Sequence, residues 1–153
     1  MNHKGPNLKV VPIMLDDDEL LPRYAHGVED AGCDLKANVP NPITINPFKS
    51  VLVGTGVHLA MPEGMFALQA PRSGLSCNHN ITLANAPGII DPGYRGEIRC
   101  NLVNLGDKPY TVYPLERIAQ LVFLPFVNAV FTTCDSLPES SRGEDGYGST
   151  GAM

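Results

Sequence analysis

Two short segments of the chain combine residue types that could act on a phosphorylated ligand. Arg72-Ser73-Gly74 joins a guanidinium, a hydroxyl and an unhindered backbone amide, which are groups that bind phosphate oxygens. Asp91 follows two isoleucines that we expect to end a strand, and it precedes Pro-Gly. Its carboxylate is therefore expected at a strand-to-turn junction, where it could accept a proton from water. Each pattern also has a purely structural explanation, namely an exposed arginine in a turn and an Asx turn at Asp91.

A third candidate is the segment 142–151 near the C-terminus. Arg142, Ser149 and Thr150 are phosphate-binding types, and Tyr147 is an aromatic ring between glycines. A flexible arm of this composition could close over a nucleotide, with the ring stacked on the base. Taken alone, the Gly- and Ser-rich stretch 138–153 is equally typical of a disordered terminus.

Composition narrows the classes of partner. The 153 residues carry a formal net charge of −5, whereas proteins that coat nucleic acids have a basic excess, so we expect no nucleic-acid partner. No apolar run approaches about 18 residues and no secretory signal is visible, so we expect a cytoplasmic protein without a membrane span. The 4 cysteines form no C-x-x-C pair and no two of the 4 histidines are four apart, which argues against a zinc site.

The elements that must position these groups are predicted to be short strands. The 15 glycines and 14 prolines interrupt helices, and apolar residues alternate with a period of two in several stretches. In the stretch 97–105 this alternation places Ile98, Cys100 and Leu102 on one face. We predict an all-β jelly roll or sandwich over 1–137 and a flexible arm over 138–153. A hairpin is expected between 50–61 and 65–70 through the turn at 62–64. The predicted strands cover 8–15, 43–45, 50–61, 65–70, 81–84, 97–105, 110–113 and 117–130.

Five segments, taken together in order and spacing, resemble the signature motifs of the homotrimeric deoxyuridine triphosphate nucleotidohydrolases (dUTPases). These segments are 31–37, 71–76, 85–97, 117–121 and 142–151. The resemblance implies a β jelly roll with three active sites shared among three subunits. It also implies dUTP diphosphatase activity, in which dUTP and water give dUMP and diphosphate with Mg2+. That reaction supplies dUMP for thymidylate synthesis and keeps uracil out of DNA.

The same resemblance implies roles for individual residues. Asp91 resembles the base that activates the water attacking the α-phosphorus, and Tyr94 the ring that stacks under the deoxyribose and excludes a ribose 2′-hydroxyl. Asp34 resembles a carboxylate that contacts Mg2+ only through water. The residues expected to contact the substrate are Arg72, Ser73, Gly74 and Gln120 at the phosphates, Asn85, Gly88, Ile89 and Ile90 at the uracil, Arg99 beside the nucleotide, and Arg142, Tyr147, Gly148 and Ser149 from the arm.

Some positions of the chain depart from the family pattern. Asn78, Asn80 and Leu115 stand where Lys or Gly is common, and Pro92-Gly93 follows Asp91 where Ser-Asp is common.

Two other functions remain open. A dCTP deaminase or bifunctional deaminase-dUTPase shares the Ile-Asp-Pro-Gly string, but such enzymes place Glu after the aromatic residue, where this chain has Arg95. A nucleotide-sensing regulatory protein is the other alternative.

Overall fold

The computed structural model describes residues 8–144, which form a protein of short antiparallel strands. One helix of seven residues, α1 (Ser73–His79), interrupts them. The strands are β1 (Ile13–Leu15), β2 (Gly32–Lys36), β3 (Ile43–Ile45), β4 (Ser50–Gly54), β5 (Val57–Leu59), β6 (Met65–Ala70), β7 (Ile81–Leu83), β8 (Gly88–Ile90), β9 (Arg99–Asn104), β10 (Tyr110–Val112) and β11 (Arg117–Pro125). The all-β prediction is confirmed.

Two sheets carry most of the architecture. One has the strand order β2-β11-β6-β8 and the other the order β4-β9-β7, while β1 pairs with β5 and β3 with β10. In the larger sheet Gln120 of β11 lies opposite Asp34 of β2 on one side and Ala70 of β6 on the other. Three segments that are distant in the sequence therefore meet at one end of this sheet.

The core follows the predicted alternation. Ile98, Cys100 and Leu102, predicted to share one face, are 2%, 0% and 1% exposed, whereas Arg99 is exposed. Burying a side chain of the Leu or Ile type contributes about 1.5–3 kcal/mol, so each of these inward positions matters to stability. The alternation over 50–61 is also correct, because Val53 and Val57 are both buried.

The predicted single strand over 50–61 is wrong, because it breaks into β4 and β5. Gly56 lies at the break with φ +63°, and a Cβ there would come within 2.5 Å of Leu20 Cδ1. The two halves then join different sheets, β4 against β9 and β5 against β1. The predicted hairpin between 50–61 and 65–70 is also wrong, because β6 pairs with β11 and β8 instead.

Several element ends differ from the prediction. The expected strand over 8–15 is regular only from Ile13, and the expected strand over 117–130 ends at Pro125. The short strand β2 and the helix α1 were not predicted. Helix α1 ends at Asn80, which adopts the left-handed conformation with φ 57°, as expected for Asn at a position where Gly is common.

The chain that follows β11 packs little of its surface. All residues from Val127 to Glu144 are exposed, and Val127, Val130 and Phe131 are more than 90% exposed. Large apolar side chains in that state leave a considerable hydrophobic surface in contact with water.

The structure also shows the state of the cysteines and the lengths of the helices. All four cysteines are free thiols; Cys33 and Cys100 are buried, and Cys77 and Cys134 are exposed. Within 8–144 there is no helix of the length and hydropathy needed to cross a membrane.

Candidate active site

A cleft of about 260 Å³ opens between β8, the loop that follows it and the start of β9. It brings together seven of the residues predicted from the sequence, and three that were not. The lining residues are Gln69, Asn85, Gly88, Ile89, Ile90, Asp91, Tyr94, Glu97, Ile98 and Arg99. A larger cavity of about 740 Å³ lies between the 8–13 segment, β6 and β11, but its lining is mostly apolar and contains none of the predicted site residues.

Asp91 and Tyr94 occupy a tight turn directly after β8. The backbone N–H of Tyr94 donates to the carbonyl of Asp91 at 3.1 Å, which closes the turn. Asp91 is exposed at the mouth of the cleft, so its carboxylate is accessible to water. The Tyr94 hydroxyl donates to the Glu97 carbonyl at 3.0 Å, which orients the ring over the loop. The strand-to-turn junction predicted for Asp91 is confirmed.

Gly96 makes the position of the Tyr94 ring possible. A Cβ on Gly96 would lie 2.4 Å from the Tyr94 hydroxyl oxygen and 2.6 Å from the adjoining ring carbon. Any larger residue at 96 therefore displaces the ring. Tyr94 is 47% exposed, so part of the residue is accessible to a ligand.

Gln69 forms part of the floor of the cleft and was missed by sequence reasoning. It is 3% exposed, and its Nε2 donates to the Arg99 carbonyl at 3.1 Å and to Cys100 Sγ at 3.2 Å. Since a carbonyl can only accept, the amide nitrogen must face Arg99, which leaves Oε1 against Gly88. The sequence did carry a signal for Gln69, because it is a polar residue on the inward side of the predicted strand 65–70.

Glu97 is the second missed residue of the cleft, and both of its carboxylate oxygens accept hydrogen bonds. One oxygen accepts the Gly56 N–H at 2.9 Å, and the other accepts Arg99 Nε at 2.9 Å. Burial acts to raise the pKa of the Glu97 carboxyl, but the hydrogen bonds from Gly56, Arg99 and Thr55 outweigh it and hold that pKa below its usual value. Glu97 is therefore ionised at neutral pH and orients Arg99.

A separate group of charged residues forms where β2, β11 and β6 meet. Asp34 Oδ1 accepts Arg72 Nε at 2.8 Å, and Asp34 Oδ2 accepts Arg117 Nη1 at 3.2 Å. Arg72 Nη1 also donates to the Arg117 carbonyl at 3.1 Å. Two guanidinium groups around one carboxylate leave a net positive charge, which suits phosphate oxygens. Arg117 belongs to the fourth sequence segment, but no role was predicted for it.

The other residues predicted at the phosphates lie beside this group. Gln120 Nε2 donates to the Pro71 carbonyl at 2.9 Å, and Ser73 and Gly74 are exposed in the first turn of α1. The lining of the 260 Å³ cleft includes neither Arg72 nor Gln120. The predicted residues thus fall into two groups within the described part of the chain.

The predicted arm residues are only partly covered by the structure. Arg142 is exposed in the segment that follows β11. Tyr147, Gly148 and Ser149 lie outside the described residues. Over 8–144, no group of three or more His, Cys, Asp or Glu side chains has the arrangement needed to hold a metal ion directly.

Comparison with known proteins identifies the family. A dUTPase family model matches residues 22–151. The deoxyuridine 5'-triphosphate nucleotidohydrolase of Bifidobacterium longum subsp. infantis is 50% identical over 130 residues, covering 84% of this chain and 80% of that protein. The protein of the same name from Chlamydia pneumoniae is 45% identical over 139 residues, covering 90% of this chain and 95% of that protein.

The fold is also similar to solved dUTPase structures. The Staphylococcus bacteriophage 80alpha dUTPase with dUPNHPP superimposes with a TM-score of 0.85 at 25% identity, covering 95% of this chain and all of that one. The family model and both curated relatives extend through the cleft and the Asp34–Arg72–Arg117 group. The chain therefore belongs to the dUTPase family.

Proposed function

We propose that the chain hydrolyses dUTP to dUMP and diphosphate by attack of water on the α-phosphorus. The observation that carries the proposal is the cleft that places Asp91, Tyr94 and Asn85 together in a chain of the dUTPase family. Asp91 is the residue that orients the water and accepts its proton. A general base of this kind contributes typically about 10²–10⁴-fold to the rate.

The cleft supplies the selectivity for base and sugar. Asn85 and the backbone of Gly88–Ile90 read the uracil edge, and the wrong base leaves buried polar groups unpaired. The Tyr94 ring packs under the deoxyribose, where a ribose 2′-hydroxyl would collide with it. Arg99, held by Glu97 at 2.9 Å, adds a positive charge beside the nucleotide.

The Asp34–Arg72–Arg117 group and its neighbours bind the phosphate chain. Arg72 and Arg117 supply charge, and Ser73, Gly74 and Gln120 supply donors close to it. The donor set also fits the Mg2+ that the family typically uses. Each Asp34 oxygen takes one guanidinium hydrogen bond and keeps a lone pair, so it can accept a metal-bound water. When bound, Mg2+ neutralises part of the triphosphate charge.

The active form is proposed to be a homotrimer with shared sites. The lining of the base-and-sugar cleft contains no residue of the phosphate group, which fits a site completed by residues from more than one copy. The exposed apolar side chains of Val127, Val130 and Phe131 support a segment that packs on another subunit. We place the catalytic domain at 1–137 and a closing arm at 138–153, with Arg142, Tyr147, Gly148 and Ser149 covering the bound nucleotide.

The deaminase alternative is not favoured by the cleft. Glu97 is the carboxylate that lines it beside Asp91, and its hydrogen bonds from Gly56 and Arg99 hold its pKa below the usual value, which makes it a weaker proton acceptor. A deaminating base needs a carboxylate free to exchange protons with the substrate.

The biological role proposed for dUTP hydrolysis is the supply of dUMP and the exclusion of uracil from DNA. Four free thiols are typical of a reducing compartment, which supports a cytoplasmic location.

The test is diphosphate release from dUTP, dCTP, dTTP and UTP with Mg2+, using the wild-type chain and Asp91→Asn. We expect release from dUTP alone and its loss in the variant, because an amide cannot accept the proton. Ammonia release from dCTP would instead establish a deaminase. Binding of dUTP without turnover by the wild-type chain would establish a sensor.

A further inference from the structure

The loop over 91–97 carries both Asp91 and Tyr94, yet few of its own backbone groups fix it. The turn is closed by one hydrogen bond, from the Tyr94 N–H to the Asp91 carbonyl. The loop is largely exposed, so its position depends on what holds it from behind. Glu97 ties the end of the loop to Gly56, and two further side chains hold its middle, Arg95 and His58.

Arg95 folds back across its own loop. Its Nη1 lies 2.6 Å from the Pro92 carbonyl and 2.9 Å from the Tyr94 carbonyl. It also lies 3.5 Å from the Leu59 carbonyl, at the end of β5. A single guanidinium therefore bridges carbonyls on both sides of the turn and connects the turn to a strand of the framework. All three contacts are made by Nη1, whose two N–H groups point at the nearer Pro92 and Tyr94 carbonyls, and the Leu59 contact is the longest.

His58 fixes the other end of the loop. Its Nδ1 donates to the Arg95 carbonyl at 3.1 Å, and its Nε2 is 3.7 Å from Asp16 Oδ1. The His58 side chain is only 21% exposed, so packing on β5 limits its movement. The backbone adds one contact here, from the Ile98 N–H to the Val57 carbonyl at 2.8 Å. Strand β5 thus serves as the support for the loop.

We propose that Arg95 and His58 are positioning residues that hold the 91–97 loop on β5 and thereby set the places of the Asp91 carboxylate and the Tyr94 ring. The inference rests on the proposed function, because it assigns those two groups to water activation and sugar selection. A displacement of about 1 Å in such groups can cost roughly 10²-fold in rate. Arg95 is proposed to act through the loop that carries the reacting groups.

The experiment compares wild type, Arg95→Ala, Arg95→Lys, His58→Leu and His58→Asn in the full chain. The matched control is Arg23→Ala, which removes an exposed guanidinium outside the cleft. Rates with dUTP and UTP, thermal unfolding and amide hydrogen exchange of residues 91–97 are measured for each. Added guanidinium at millimolar concentration tests chemical rescue of Arg95→Ala.

We expect Arg95→Ala to lower kcat by about tenfold to a hundredfold, since a small shift of Asp91 suffices. The dUTP-to-UTP ratio of kcat/KM should fall as well, because the Tyr94 ring moves with the loop. Guanidinium should restore part of kcat in Arg95→Ala and none in Arg23→Ala. His58→Asn keeps a donor near the place of Nδ1, so it should retain more activity than His58→Leu.

Two results would overturn the proposal. One is unchanged kcat and substrate ratio in both Arg95→Ala and His58→Leu. The other is an equal loss for dUTP and UTP, parallel to a fall in unfolding temperature and without rescue, which would assign Arg95 to stability alone. If Arg95→Ala does not fold, His58→Leu gives the same readouts. An inactive wild-type chain would defeat the proposed function, and hydrogen exchange would still report whether the loop is released.

Discussion

Asp34 and Arg72 form the closest charged contact in the phosphate group, with Oδ1 accepting Nε at 2.8 Å. The two residues are 38 positions apart and meet because β2 and β6 flank β11 in one sheet. The Asp34 side chain is 15% exposed and also accepts Arg117 at 3.2 Å. One carboxylate therefore orients two guanidinium groups before any anion arrives.

The first prediction follows from that contact. Asp34→Asn should raise KM for dUTP by about tenfold, because a charge-assisted hydrogen bond contributes roughly twice a neutral one and the arginines lose their fixed direction. Initial rates across a dUTP series measure it. Asp30→Asn is the matched control, since Asp30 pairs with His26 away from the site. An unchanged KM in Asp34→Asn would show that the arginines need no such support.

The second prediction concerns Glu97 and pH. Its pKa is lowered from the ordinary value of 4.5, so the folded state binds this proton less tightly than the unfolded state. The ion therefore stabilises the fold fully above the unfolded-state pKa, and the contribution is lost as pH falls through the lower folded-state pKa. The difference in unfolding free energy between wild type and Glu97→Gln should shrink as urea titrations move from neutral to acidic pH. A difference independent of pH would contradict this account.

The third prediction concerns the buried amide of Gln69. Gln69→Leu conserves approximate size but leaves the Arg99 carbonyl without its side-chain donor. A side-chain hydrogen bond contributes about 0.5–1.5 kcal/mol net to stability, and the unfolding free energy should fall by about that amount. Urea unfolding at neutral pH measures it. A variant as stable as wild type would mean that water replaces the amide at the floor of the cleft.

The fourth prediction concerns the turn before β11. Leu115 has φ 62°, a left-handed conformation that costs a non-glycine residue about 1–2 kcal/mol. Leu115→Gly removes this strain, which offsets the entropy that glycine loses on folding. Its unfolding free energy should exceed that of Leu105→Gly by about 1 kcal/mol, since Leu105 is exposed and has no positive φ. Equal values for the two variants would contradict the strain.

The amino-acid sequence by itself determined the class of fold, most strand positions and the chemical types at the site. Alternation with a period of two is a local property, so the buried faces around Val53, Cys100 and Leu102 could be predicted. The five motifs are also local strings, which is why Asp91, Tyr94, Asn85 and Arg72 could be proposed as site residues without a structure. Asn80 stands where Gly is common, and Asn is a residue type that tolerates the left-handed conformation found there.

Only the tertiary structure decided which strands pair and which side chains support the site. Strand pairing depends on contacts between distant segments, so the break at Gly56 and the partners of β6 were not visible in a local pattern. The roles of Gln69, Glu97, Arg95 and Arg117 likewise arise from atoms that meet across sheets. Hydrogen bonds are short-ranged and directional, and residue types along the chain do not specify which donors and acceptors come within 3 Å of each other.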